Sequence, residues 1–499
     1  MFLDQAAIWL FVSVCAIVIS AQSSITFADG VVVPASVPTV SGIDVSHGPF
    51  TGTPTVTGAL SGTAILGTAI SPRPAPANAT TYPSDGRLHD PQPAPYIPAG
   101  GLGTNGTMPV YNARSDYDFQ SLALVLYFKW IEVDLFNYGL SRFSEADFEM
   151  ANLTSEDRYL VRFMSRQAIG GATMLSNILG RAAPKQCNYN YPNFTDVREW
   201  LDFSQKLTRT NEAGVYGMLP HLNSRAAASM LLRSVAVAAR QHVIFRQFLG
   251  LFPMPEWFEV GIPQSWAWSL LSPYIASCPG NQTRLAWQNF PALRVVSQPN
   301  PFRTNGSAAN NETLGAWLNS ANDTAIPPPQ RCNATTNGNA TDNGTTTTTT
   351  NTTGVECGPA ITRNRSIPLS NPGRPVLLHW DAPDAPLGPN GSYVASSRAG
   401  PPAFVVWVTQ LNVTYSPLTD VVGGGLGGGD NASSAGNASN VSGGSGRTIQ
   451  PDLSTYEGDP GINGTIFIAV TDTDLFLTPF NLSLINPHVV AGPAVYQAG

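Results

Sequence analysis

The chain has 499 residues, of which only 12% are charged, and its formal net charge is −7. This length accommodates two domains. The low charge density and acidic balance exclude a nucleic-acid-binding surface, which requires a basic face.

Residues 1–21 are typical of a secretory signal peptide. The apolar run 6–20 is short for a bilayer span and ends in small residues near Ala21. Because Asp4 precedes the run and no Lys or Arg does, a retained signal anchor is the alternative. No other run is long enough to span a bilayer. We therefore expect a protein that is secreted to the extracellular space or the cell wall, with no membrane span after signal removal.

Sequons are spread over the whole mature chain. Asn-x-Ser/Thr occurs 20 times, more than chance gives even in a chain rich in these residues. We therefore predict a heavily N-glycosylated protein. The glycosylation sites predicted in or beside structured regions are Asn152, Asn193, Asn281, Asn390, Asn412, Asn463 and Asn481.

Four cysteines remain after the signal segment, which is an even number in an oxidising compartment. They allow three pairings, and we favour Cys187–Cys278 and Cys332–Cys357 because each pair lies within one segment. Zinc is a weak alternative, since no Cys-x-x-Cys spacing occurs.

Residues 22–112 form a Pro/Gly/Ser/Thr-rich arm without helical periodicity. Helical periodicity then dominates residues 113–298, where four segments are each about 20 residues or longer, as a packed bundle requires. The four predicted long helices and a shorter fifth one cover approximately residues 116–138, 154–180, 196–218, 223–250 and 264–276.

Residues 299–372 lose this periodicity and contain a Thr tract with clustered sequons, which is typical of a glycosylated low-complexity linker. From 373 to 499 the period changes to two. Strands are predicted at 375–380, 404–415, 465–470 and 475–484, with Asn412 and Asn481 on their solvent faces. A Gly/Ser/Asn-rich run at 423–446 is expected to form a flexible loop. The fold class is therefore α+β and multidomain, with an up-down helical bundle followed by a small antiparallel β-sandwich-like domain.

Several stretches resemble the fungal Rds-type stress-response proteins, which are secreted ferritin-like domain proteins related to plant desiccation-related proteins. The resemblance implies that the bundle is ferritin-like. The stretches that carry it are WIEVDLF at 130–136, ATMLSNILG at 172–180, NEAGVYG at 211–217, ARQ at 239–241, IFRQF at 244–248, AVTDTD at 469–474 and PHVVAGP at 487–493.

A ferritin-like di-iron site needs a Glu from each of two helices and a Glu-x-x-His pair from each of the other two. Glu132 and Glu212 satisfy the first requirement. The other four positions lack ligands and carry Ala168, Gly171, Ala238 and Gln241. His242 is offset by one residue, which rotates its side chain by about 100° around the helix. We treat Glu132, Glu212 and His242 as vestigial candidates, with Lys129, Arg240 or Arg246 as alternative partners of the carboxylates.

Our first hypothesis is a non-catalytic glycoprotein without a metal cofactor, which has a structural or protective role at the cell surface or outside the cell. The second is a metal-dependent oxidase or peroxide-handling enzyme with iron or manganese in a remodelled site. The third is a protein that binds cell-wall polysaccharide, a host surface or another secreted protein. The apolar residues Trp257, Phe258, Trp266 and Trp268 are possible interface residues in the third case.

Overall fold

The computed structural model describes residues 111–299 apart from 281 and 283, then residues 366, 368–423, 443–455 and 464–499. It also describes two short paired strands, β1 (Ser24–Thr26) and β2 (Val32–Pro34). The predicted signal peptide, most of the arm and the linker, and Cys332, Cys357, Asn281 and Asn463, lie outside the described residues. Within them, no helix combines the length and apolarity needed to cross a bilayer.

Four long helices form the bundle, at the places the periodicity predicts. Two shorter helices accompany them, one after the first long helix and one after the last. The helices are α1 (Asp116–Arg142), α2 (Glu145–Met150), α3 (Ser155–Leu179), α4 (Val197–Met218), α5 (Arg225–Phe248) and α6 (Gln264–Leu271).

Local capping signals fix where the long helices begin. Thr154 and Asp157 form a reciprocal capping box at the start of α3. The Asp196 side chain accepts hydrogen bonds from the first backbone N–H groups of α4, and Ser224 caps α5 in the same way. Helix α1 is buried almost all round between residues 118 and 136, so it lies in the centre of the bundle.

Two four-stranded antiparallel sheets form the second part of the molecule. One has the order β10-β9-β13-β14 and the other β11-β12-β6-β5. Strands of two or three residues add two minor pairs, β3–β4 and β7–β8. The strands are β3 (Asn188–Tyr189), β4 (Ile275–Ser277), β5 (Leu293–Val295), β6 (Pro375–Trp380), β7 (Pro386–Leu387), β8 (Tyr393–Val394), β9 (Phe404–Val408), β10 (Val413–Pro417), β11 (Thr419–Gly423), β12 (Gly444–Ile449), β13 (Thr465–Thr471) and β14 (Val489–Gln497).

Strands β9 and β13 are buried on both faces. Val405, Trp407 and Ile468 pack into the core between the two sheets. Val406 and Phe467 point the other way, into the core shared with the helices. The first sheet therefore lies between the bundle and the second sheet, and its central strands are continuously apolar for that reason.

The structure corrects four sequence expectations. The strand predicted at 475–484 is wrong, because a 3-10 helix occupies Leu482–His488 and the edge position belongs to β14. The single strand at 404–415 is instead the hairpin β9–β10. The end of the predicted 423–446 loop forms β12. Strand β5 comes from the segment assigned to the bundle, yet pairs with β6.

Candidate functional site

The first candidate carboxylate, Glu132, is buried and accepts hydrogen bonds from two nitrogen donors. Its Oε2 atom accepts a hydrogen bond from Lys129 Nζ at 2.7 Å, one turn earlier on α1. Its Oε1 atom accepts a hydrogen bond from Asn211 Nδ2 on α4 at 2.6 Å. All three side chains are almost completely excluded from solvent. Both carboxylate oxygens of Glu132 are therefore engaged by protein groups.

The first vacated ligand pair lies beside this cluster. A Cβ atom added to Gly171 on α3 would lie 3.2 Å from Lys129 Cδ, so the lysine stem passes directly over the glycine. Ala168, one turn earlier on α3, is buried. The small residues on α3 thus leave room for the aliphatic chain of Lys129.

The second vacated pair lies on α5, opposite α3. Ala238 is buried, and Gln241 donates a hydrogen bond to Gln167 Oε1 at 2.9 Å. The amide of Gln241 therefore links α5 to α3.

The second candidate carboxylate, Glu212, belongs to a different charge cluster. Arg209 Nη1 lies 3.4 Å from Glu212 Oε2, and His242 Nδ1 lies 3.8 Å from the same oxygen. Burial raises the pKa of Glu212 to about 8, although the Arg209 charge opposes the shift. Glu132 and Glu212 project from neighbouring helices, but each is paired with its own cation.

Arg209 lies at the centre of this second cluster and is buried. It forms ion pairs with Glu212, with Glu256 and with Glu259, the last two from the segment that follows α5. Burial alone would lower the pKa of Arg209, but the three carboxylates raise it, so the guanidinium stays charged. One fully buried cation is thus shared by three carboxylates.

His242 is a buried, hydrogen-bonded histidine. Gln205 Nε2 donates a hydrogen bond to His242 Nε2 at 2.8 Å and another to Thr465 Oγ1 on β13 at 2.8 Å. Burial and the charges of Arg209 and Arg246 hold the pKa of His242 well below its usual value. The neutral imidazole faces Glu212 and Gln205, not Glu132.

Sequence reasoning identified Lys129 as a partner of Glu132, but it missed Asn211, Arg209 and Gln205. Arg240 is exposed, and Arg246 instead donates to the backbone oxygens of Phe252 and Gly499. The available signal was a run of polar residues at helical spacing on α4, since Gln205, Arg209 and Glu212 lie three or four residues apart.

One predicted disulfide and five of the predicted glycosylation sites lie within the described residues. Cys187 and Cys278 are bonded, as predicted. Asn193 and Asn390 are exposed, and Asn152 is half-buried. Asn412 is half-buried, and its Nδ2 donates to Ser454 O. Asn481 is only 1% exposed, so its predicted position on a solvent face is wrong.

The four predicted interface residues divide into two pairs. Trp257 is 58% exposed and Phe258 is 45% exposed. Trp266 and Trp268 on α6 are completely buried, so neither is available for an interface in this folded state.

Comparison with known proteins agrees with this architecture. The family model described as a ferritin-like domain matches residues 115–251, which contain the four long helices. Protein rds1 of Schizosaccharomyces pombe is 44% identical over 410 residues, an alignment that covers 82% of this chain and 87% of that protein. The chain therefore belongs to the Rds-type family of fungal ferritin-like stress-response proteins.

Proposed function

We propose that this protein is a secreted, N-glycosylated stress-protective protein whose ferritin-like bundle is a scaffold rather than a di-iron centre. The observation that carries the proposal is the contact between Lys129 Nζ and Glu132 Oε2 at 2.7 Å. The ammonium group neutralises the carboxylate from within the chain, in the position where a metal ion would act as the counter-charge.

The donor set supports the same conclusion. Iron in such bundles is held by carboxylates and imidazoles together. Here the four remaining ligand positions supply two alanines, a glycine and an amide. Among the described residues, no group of three or more His, Cys, Asp or Glu side chains is placed to hold a metal ion. The residues present do not fit a di-iron group.

The remodelled-enzyme alternative requires Glu132, Glu212 and His242 to act together. Glu132 instead binds Lys129 and Asn211, whereas Glu212 and His242 lie beside Arg209. Lys129 and Arg209 are buried cations in these clusters. They oppose the binding of a metal cation, because like charges repel strongly where water is excluded.

Metal analysis of the purified full-length protein tests the scaffold proposal. Less than one-tenth of an equivalent (~0.1) of iron or manganese per chain is expected after growth with either metal, since the buried cations already neutralise the carboxylates. Near-stoichiometric metal in the wild type that is lost in a Glu132→Ala/Glu212→Ala variant would overturn the proposal.

A functional assay complements the metal measurement. A Schizosaccharomyces pombe strain lacking Protein rds1 is complemented with the wild-type chain or with a Glu132→Gln/Glu212→Gln variant, and survival under stress is compared at equal protein level. Equal survival supports a scaffold role. Rescue by the wild type alone would instead point to chemistry at the two carboxylates.

Secretion and glycosylation are tested separately. We expect the protein in the medium or the wall fraction, with a mobility shift on enzymatic removal of N-glycans. Asn193→Gln and Asn390→Gln should each remove one glycan, because both side chains are exposed. Asn481→Gln should leave the glycan count unchanged, because Asn481 is buried.

A further inference from the structure

Lys129, Glu132 and Asn211 form a buried triad with a particular connectivity. One carboxylate binds an amine nitrogen on one oxygen and a carboxamide nitrogen on the other, at 2.7 Å and 2.6 Å. An amine and a carboxamide held on the same carboxylate are the reactants and the acid–base group of an amide exchange. We propose that Lys129 and Asn211 form an isopeptide bond that joins α1 to α4, with Glu132 as the catalytic residue.

The surroundings favour the bond. Each of the three side chains is no more than 5% exposed, so water, which would compete as a nucleophile, is excluded. The triad is held by two packed helices, and such fixed proximity raises the rate of an intramolecular reaction by a large factor. Gly171 contributes by leaving the space through which the Lys129 stem reaches Glu132.

The reaction begins with proton transfer across the hydrogen bond from Lys129 Nζ to Glu132 Oε2. The transfer converts a buried ion pair into a neutral amine and a carboxylic acid. The amine now carries a lone pair and lies on the same carboxyl group as the Asn211 amide. Glu132 is therefore the general base that prepares the nucleophile.

The amide must next present its carbonyl oxygen. Asn211 Nδ2 faces Glu132, while Asn211 Oδ1 accepts no hydrogen bond from a described residue. Rotation of the amide about its Cβ–Cγ bond exchanges these two atoms and places Oδ1 against the protonated carboxyl. That contact polarises the carbonyl and stabilises negative charge on the oxygen as the amine attacks.

The atoms balance without any added reagent. The Lys129 Nζ–Asn211 Cγ bond forms, and the Asn211 Cγ–Nδ2 bond breaks. Nζ loses two protons in all. One stays on Glu132, which ends as a neutral carboxylic acid, and the other passes from the attacking amine to Nδ2, which leaves as neutral ammonia. No oxidant or reductant is consumed.

The proposal concerns covalent chemistry inside the bundle and does not rest on where the protein acts. Glu132 is neutralised in both forms, by the Lys129 ammonium before the bond forms and by its own proton afterwards. Mass spectrometry of the full-length protein tests it. After enzymatic removal of N-glycans and reduction of disulfides, proteolysis should yield one branched peptide that contains both Lys129 and Asn211. Its mass should be lower by one ammonia than the sum of its two linear parts, and fragmentation should place the branch at those residues.

Localisation of the branch is essential, because cyclisation of an N-terminal glutamine also releases ammonia. Recovery of most Lys129 and Asn211 in separate linear peptides from the wild-type protein would overturn the proposal. This outcome is decisive without any variant, so a folding defect cannot obscure it.

Three variants sharpen the assignment. Lys129→Arg removes the nucleophile and should abolish the branched peptide, and Glu132→Gln removes the proton acceptor and should do the same. Lys206→Arg is the matched control, because Lys206 forms a partly exposed ion pair with Asp202 on α4, away from the triad, and should leave the branched peptide in place. A branched peptide that persists undiminished in Glu132→Gln would contradict the catalytic role of Glu132.

Discussion

Two buried carboxyl groups in the bundle lie beside two different cations of the same chain. Lys129 contacts Glu132 within one turn of α1, and Arg209 contacts Glu212 within one turn of α4. Removing one partner of a buried pair leaves an uncompensated charge, which typically costs about 3–5 kcal/mol. At the scale of single residues, the charge pairs therefore stabilise the core only as complete units.

The pH dependence of stability should reveal Glu212. Its pKa is raised from 4.5 to about 8 in the folded state by burial, among Arg209, Glu256, Glu259 and His242. Between these values the folded state holds a proton that the unfolded state has released, so stability falls as pH rises. The pKa of His242 is lowered from 6.5, so His242 changes the pH dependence of stability only below pH 6.5.

We therefore expect the wild-type free energy of unfolding to fall as the pH rises from 6.5 to 8. In this range Glu212 contributes to the pH dependence and His242 does not. The slope should reach at most about 1.4 kcal/mol per pH unit. Urea unfolding of Glu212→Gln should show a flatter profile, while the exposed control Glu156→Gln should follow the wild type. An unchanged slope in Glu212→Gln would refute the assignment.

Glycine positions determine how closely the elements of the bundle approach one another. A Cβ atom at Gly139 on α1 would collide with the Trp200 ring of α4, so this glycine allows the ring to lie against the α1 backbone. Gly170 on α3 is exposed, and a Cβ atom added to it would meet no atom of another element within 4 Å. Two glycines in similar helices thus have different structural roles.

The two alanine substitutions should therefore differ in sign. Gly170→Ala should raise the free energy of unfolding by about 0.5–1 kcal/mol, because alanine is the better helix former. Gly139→Ala should lower it by about 1–3 kcal/mol or more, because overpacking against Trp200 outweighs the same helix gain. Chemical denaturation of both variants measures the difference, and a stabilised Gly139→Ala would contradict the packing described.

The elements with local signals were the predictable ones. The four long helices carry caps such as Thr154 and Asp196, and their apolar periodicity is strong, so their existence and their N-terminal ends could be inferred from sequence. The strand predicted around Asn481 failed because its alternation suits a compact turn equally well, in which Thr478 N donates to Asn481 Oδ1. Strand β14 was missed because Gly492 and Pro493 interrupt it at a register shift, where proline is tolerated.

The site was only partly predictable for a similar reason. The absence of the two Glu-x-x-His pairs is visible in the sequence, and so is the proximity of Lys129 to Glu132 on one helix. The contact of Asn211 with Glu132 joins residues 79 positions apart. Gln205 contacts Thr465 across 260 positions. Such pairs depend on tertiary packing, which local patterns do not encode.

At the scale of the whole molecule, the helices and sheets share one core. Phe467 and Val406 on the central strands pack with the helices, while their neighbours pack between the sheets. Polar contacts reinforce this boundary, since Gln410 Oε1 accepts from the backbone N–H groups of Trp257 and Phe258. The bundle and the sheets should therefore unfold together.

Truncation of Phe467 tests this coupling. Phe467→Ala should lower the free energy of unfolding by about 3–5 kcal/mol. Helical circular dichroism and hydrogen exchange in α4 should report the loss as fully as probes in the sheets do. Phe476→Ala, at a side chain 45% exposed, should cost much less. Helices that keep wild-type stability in Phe467→Ala would show that the two parts unfold independently.

The passage of the Lys129 stem over Gly171 has an evolutionary consequence. A histidine at position 171 would place its Cβ 3.2 Å from Lys129 Cδ, with a whole ring still to accommodate. Replacing Lys129 first would leave Glu132 without its cation. Either single change is disfavoured, so a histidine at position 171 requires a simultaneous change at Lys129 and Glu132. The contact therefore makes the residues tolerated at positions 129 and 171 depend on each other.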